Sequence, residues 1–213
     1  MSTKYPGGFI TKSPVAPTST AASGIWTLDQ QEQYQKAGTW PQPPLFIEDM
    51  FSTYLYTGNA TSRTITNGID LSSKGGLVWT KTRTNATGNR LNDTSRGITQ
   101  ALVSNDTIAQ FADANGVNGV TTSGFTIGDS SDYNSTGESY ASWTFAEQSK
   151  FFDIVTWVGD GTGNTPRTIN HNLGSTPGFF VVKKVTAGGT EWICYHRSVG
   201  ATKFLRLNDS QAE

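Results

Sequence analysis

The stretch RTITNGIDLSSKGGLVWTK, residues 63–81, returns in altered form as RTINHNLGSTPGFFVVKK, residues 167–184. The likeness runs on in both directions. Phe51 aligns with Phe152, Gly58 with Gly159, Arg63-Thr64-Ile65 with Arg167-Thr168-Ile169 and Leu71 with Leu173. Gly76 then matches Gly178, Lys81 matches Lys183, Gly97 matches Gly200, and Asn105-Asp106 matches Asn208-Asp209. The offsets stay between 101 and 104, which needs indels of only a few residues in turns. Chance does not hold register over about fifty positions, so one supersecondary unit must be built twice along the chain.

The unit is made of strands. STYLYTG, GGLVWTKTR, GITQALVS, GFTIG and SYASWTFAE are short β-rich runs set apart by Gly, Asn and Asp. In the last of these, Ala141, Trp143 and Phe145 share one face and Tyr140, Ser142 and Thr144 the other. Asn67-Gly68, Asn115-Gly116 and Asn118-Gly119 are hairpin-turn dipeptides, and the last two lie close enough to predict one wide loop. The composition agrees: 23 glycines and 11% aromatics, with many Thr, Ser and Asn, fit pleated surfaces joined by tight turns. The expected fold class is all-β, with tandem β-sandwich modules of jelly-roll or lectin-like form.

Residues 1–44 read differently. The first 24 contain Pro6, Pro14 and Pro17, many small polar residues and no acid, so alone they cannot bury enough apolar surface to offset their ordering entropy. Tyr5, Phe9 and Ile10 are the candidate anchors of an arm that orders on a partner. One short helix is predicted near 27–37. Thr27 is its N-cap with Gln30 three residues on, Glu32 and Lys36 are spaced as an i,i+4 pair, and Gly38 suits the C-terminal cap. Ile25, Trp26, Leu28, Tyr34 and Trp40 supply its apolar groups, too few to fold it unaided. Pro41, Pro43 and Pro44 make a stiff spacer.

The division expected is therefore an arm over 1–44, a first β module over 45–150 and the start of a homologous module over 151–213. The first copy runs on from Asp106 to a closing strand, SWTFAE at 142–147, whereas the second stops at Glu213, shortly after Asp209. A sandwich without its last strands exposes its core and opens a sheet edge. The second module is thus expected to be truncated here, its remaining strands lying in a longer chain or coming from a partner.

Several function classes are excluded. With 15% charged residues and a formal net charge of -1, no global field draws in nucleic acid or anionic lipid. No run approaches the roughly 20 apolar residues of a membrane span or the length of a signal peptide, which predicts synthesis in a cytoplasm. Cys194 is alone, and no Cys/His pattern has zinc spacing. His171 and His196 do not recur in the first copy. In EWICYHR, Trp192, Cys194 and His196 share a strand face, a pattern that lines packed surfaces more often than it makes a catalytic pair. Asp129 and Asp132, or Asp160 and Asn164, lack the dense oxygen spacing of a calcium loop. Six Asn-x-Ser/Thr triplets mark an Asn/Thr-rich surface. Neither catalytic residues nor a cofactor nor a metal site are expected, and the chain is not expected to be an enzyme.

LFIEDMFSTYLYTGN, NGIDLSSKGGLVWTKTR, GESYASWTFAEQSKFFDIVTWVGDGT, RTINHNLGSTPGFFVVKK and CYHRSVGATKFLRLN together resemble tail-fibre-like virion proteins of marine and cyanobacterial phages over residues 45–213. SGIWTLDQQEQYQKAGTWP resembles the segment that precedes such modules near the start of phage tail proteins. The resemblance implies a virion structural component located in the tail. Its arm would dock on tail, baseplate or adaptor proteins, its distal part would reach the host surface, and its state would be a homotrimer. It carries no catalytic residue across. A lectin-like adhesin that binds a host surface glycan, a capsid or baseplate decoration protein and a depolymerase are the rival classes, the last expected to fail.

Overall fold

A computed structural model describes residues 15–41, 45–163 and 165–210. The chain divides into two compact units, Met1–Leu45 and Phe46–Glu213. In the first, α1 (Leu28–Lys36) forms where the capping residues require it. Thr27 Oγ1 accepts from Gln30 N at 3.3 Å while Gln30 Oε1 accepts from Thr27 N at 3.0 Å, a reciprocal capping box. Lys36 pairs with Glu32 at 2.6 Å, and Gly38 takes a positive φ of 69° just past the Ala37 cap.

The second unit is mostly β, with antiparallel sheets and few helices. A short 3-10 turn at Ile47–Asp49 leads into β1 (Phe51–Thr57), β2 (Arg63–Thr66), α2 (Leu71–Lys74) and β3 (Gly76–Thr82). There follow β4 (Arg90–Asp93), β5 (Gln100–Val103), β6 (Phe111–Ala112), β7 (Val117–Thr121), β8 (Gly124–Ile127), α3 (Ser131–Asn134) and β9 (Ser139–Ala146). Then come β10 (Phe179–Val182), β11 (Ile193–His196) and β12 (Leu205–Arg206). The strands make a six-stranded sheet in the order β1-β9-β3-β4-β5-β6, a three-stranded sheet β2-β8-β7 and another β10-β11-β12.

The main core is drawn from the six-stranded and the β2-β8-β7 sheets: Tyr56, Val78, Tyr140 and Ala146 cluster with Ile65, Val117, Phe125, Ile127, Ile69, Leu71 and Tyr133. In β9 the face turned to this core is the one bearing Tyr140, Ser142 and Thr144, each almost or fully buried. The hydroxyls are used: Asn67 Nδ2 donates to Thr144 Oγ1 at 2.8 Å, and Ser142 Oγ donates to Tyr54 O at 3.4 Å. Trp143 and Phe145 lie on the other face, against Trp79 and against Phe51 and Phe152.

Asn118-Gly119 departs from expectation. These residues sit inside β7 at a register shift between Val117 and Gly119, and the chain reverses after Thr121 instead. A Cβ on residue 119 would stand 2.6 Å from Thr126 Oγ1, whose hydroxyl donates to Asn118 Oδ1 at 2.7 Å. Glycine here allows close approach at a bulge, not a turn.

Two buried phenols each donate a hydrogen bond. Tyr56 Oη donates to Tyr133 O at 2.8 Å, and Tyr133 Oη donates to Asn92 Oδ1 at 2.9 Å. Burial pushes both phenols far above the usual tyrosine range. The fold therefore holds the neutral form. Its stability should be complete below the ordinary tyrosine pKa of about 10 and fall as pH rises above it, because the unfolded chain ionises first. Absorbance titration beside urea melts from about pH 9 to 12 tests this. Ionisation of all seven tyrosines in a chain still folded would contradict it.

Candidate functional site

The N-terminal unit places its aromatic side chains together. Trp26 meets Tyr34 edge-on at 5.1 Å between ring centres and Trp40 edge-on at 5.7 Å. Edge-to-face contact of this kind adds about 0.5–1.5 kcal/mol per pair to area burial, so the three rings brace the helix against its flanks. Ile25 and Leu28 do not join them: they are 61% and 83% exposed, and no residue of α1 is buried. Tyr5, Phe9 and Ile10 lie outside the described residues.

In the other unit the β3-β4-β5 and β10-β11-β12 meanders share one register. In the first copy β3 and β4 pair Leu77 with Asp93, Val78 with Asn92, Trp79 with Leu91 and Thr80 with Arg90. In the second, β10 and β11 pair Phe179 with His196, Phe180 with Tyr195, Val181 with Cys194 and Val182 with Ile193. A shift of 102 on one strand and 103 on the next superimposes the two registers. Connections outside the ladders follow. Ser104 N donates to Asn89 O at 2.9 Å as Leu207 N does to Trp192 O at 3.1 Å, and Thr94 N donates to Gly76 O as Arg197 N does to Gly178 O. Asn105 Oδ1 accepts from Asn89 N, and Asn208 Oδ1 from Trp192 N. Lys81 Nζ reaches Thr87 O and Lys183 Nζ reaches Thr190 O.

The copies meet along residues 103–110 of the first. Trp192 stands where the first copy has Asn89, and it is buried with Leu91 and Leu102 beside Leu77, Trp79 and Val185. Its Nε1 donates to Val103 O and Asp106 O, both at 3.0 Å. Gly189 N donates to Thr107 O and Gln110 N to Val185 O, each at 3.0 Å. Lys183 Nζ adds a bond to Thr107 O at 3.0 Å, and burial lowers its pKa. The sheet face bearing Trp79 and Leu77 is thereby roofed by the second copy.

A recess of about 250 Å³ is lined by Glu147, Gln148, Ser149, Phe152, Asp153 and Asn172. Its carboxylates hold structure. Asp153 Oδ2 accepts from Asn172 N at 2.6 Å, and Ser95 Oγ donates to Glu147 Oε1 at 3.2 Å, while burial pushes the Glu147 carboxyl up. Cys194 is buried and its thiol pKa raised by that burial, whereas exposed His196 takes Ser198 N on Nδ1 at 3.2 Å. His171 Nδ1 similarly accepts from Leu173 N. Asp132 pairs with Arg90, and Asp160 Oδ1 closes an Asx turn on Thr162 N at 3.0 Å. Asn164 lies outside the described residues. Among the described residues no group of three His, Cys, Asp or Glu side chains is placed to hold a metal ion.

The outer edge of β10 is open. Phe179 is 55% and Phe180 46% exposed, with Val181 beside them, and no described strand pairs there. Together these features define a β-rich protein with a duplicated meander. Over residues 47–213 the chain matches the family described as a domain of unknown function, DUF7483, and it belongs to that family. No curated protein and no solved structure matches it.

Proposed function

We propose that the chain is a virion structural protein, the tail-anchoring part of a phage tail fibre whose β modules carry the adhesive end toward the host surface. The observation that carries this reading is the N-terminal unit: a capped helix with no buried residue, braced by Trp26, Tyr34 and Trp40 and presenting Ile25 and Leu28 to a partner. Covering each such side chain contributes roughly 1.5–3 kcal/mol, and a trimer would repeat the contact on each chain. Tail, baseplate or adaptor proteins are the proposed partners. The duplicated meander supports a tandem β-sandwich of lectin-like form, set in series as a spacer. In this reading the protein assembles in the host cytoplasm, resides in the tail and performs no catalysis.

Deleting residues 1–40 should leave a folded β unit that no longer joins tails, read by immunoblot of purified particles and by circular dichroism. Normal incorporation of the deleted chain would refute the anchoring role. Glycan-array binding by residues 45–213 would favour the lectin-like adhesin instead.

A further inference from the structure

The repeat states what should lie beside β10. In the first copy β3 is held on both edges: β4 on one side, and on the other β9, paired over seven positions from Gly76 opposite Ala146 to Thr82 opposite Tyr140. β9 in turn pairs with β1 over seven more, Phe51 opposite Phe145 to Thr57 opposite Ser139. In the second copy β10, β11 and β12 reproduce β3, β4 and β5, yet no described strand occupies the place of β9. The counterpart of β1, Phe152 to Val158, forms no ladder; one isolated bridge joins Phe152 to Gln148. The exposure follows. Val78 is fully buried, whereas its counterpart Phe180 lies open, and Trp157 is exposed where Tyr56 of the first copy is buried.

We propose that the outer edge of β10 is an acceptor for an added β-strand with the chemistry of Ser139–Ala146. The occupant is an extended segment of about eight residues that alternates Tyr, Ser, Thr and Ala on one face with Trp and Phe on the other. It enters antiparallel, its Ala146-equivalent opposite Gly178. An unpaired strand edge offers main-chain donors and acceptors at a fixed spacing, and alternate side chains set which face turns inward. Gly178 fits the docked state. At the matched Gly76 a Cβ would stand 2.0 Å from Phe145 O of β9, whereas at Gly178 the space is filled by the movable guanidinium of Arg197. The inference rests on the repeat and holds whether or not the chain belongs to a tail fibre.

The test uses the 213-residue chain and a synthetic peptide of residues 137–147, GESYASWTFAE, against a scrambled peptide that loses the alternation. Backbone hydrogen exchange is followed in the presence of about millimolar peptide. Exchange over Phe179–Lys183 should slow about tenfold or more, with β1 and β3 unchanged, and the scrambled peptide should have no effect. Phe180→Asp should abolish the protection while its melting curve and the exchange of β4 and β5 stay as in the parent chain. Absence of protection at Phe179–Lys183 overturns the proposal. So does protection confined to β1 and β3, which would mean that the peptide displaces β9. Concentration-dependent protection of β10 without peptide would overturn it too, since a second copy would then be the occupant.

Discussion

Gly76→Ala is expected to unfold the first copy, whereas Gly178→Ala, at the matched position of the second, leaves the chain folded. Gly76 has a φ of 149°, outside the range of L side chains, and a Cβ there would meet Phe145 O at 2.0 Å and Leu71 Cδ2 at 2.8 Å. Phe145 lies in β9, the strand that ties β1 to β3, so the backbone cannot yield without breaking the ladder. Strain of about 1–3 kcal/mol for the backbone and a similar amount for overpacking gives a loss of about 2–6 kcal/mol, a large part of a small domain's stability. Gly178 shows no positive φ, and its nearest obstacle is the flexible end of Arg197. Urea melts of the two variants read the contrast. Equal losses would mean that both glycines serve some shared local turn, and the asymmetry between the copies would have no basis in β9.

That asymmetry shows which parts of the fold the sequence could disclose. The matched residues Gly76 and Gly178, Lys81 and Lys183, and Asn105 and Asn208 mark positions where the backbone needs the same bond in each copy, and the structure makes those bonds at both sites. Thr27 with Gln30 disclosed the helix start for a similar reason, since a cap is a local bond between neighbours in sequence. What stayed hidden depends on contacts between distant segments. The inward face of β9 is the one with Tyr140, Ser142 and Thr144, although Trp143 and Phe145 are the more apolar residues. Hydrophobicity alone would choose the wrong side, because a second apolar layer covers the aromatic face. Asn118-Gly119 has the composition of a turn, and only its pairing with β8 reveals a bulge. The recess at Glu147 and Asp153 had no sequence signal, for its walls come from both copies. The junction had one in retrospect: Trp192 replaces Asn89 at a matched position, and such a departure from the repeat marks where one copy leans on the other.

Trp192→Ala should detach the second copy from the first without unfolding the first. Trp192 and Cys194 are the buried hydrophobic side chains among the described residues beyond β9, so the β10-β11-β12 sheet has little core of its own. Removing the indole deletes its contact with Leu91 and Leu102 and takes the donor from Val103 O and Asp106 O. The expected loss is about 3–5 kcal/mol, the range for truncating a buried tryptophan. The loss should be local, since Tyr56, Val78, Phe125 and Tyr140 close the main core without Trp192. Hydrogen exchange should therefore accelerate across β10, β11 and β12 and remain slow in β1, β3 and β9. Trp192→Phe separates the two contributions: it retains an aromatic ring in the site but leaves both carbonyls without the indole N–H, at about 1–3 kcal/mol. Acceleration spread evenly over both copies would mean that they fold as one cooperative body, and the second meander would then be part of the core of the first rather than a repeat resting upon it.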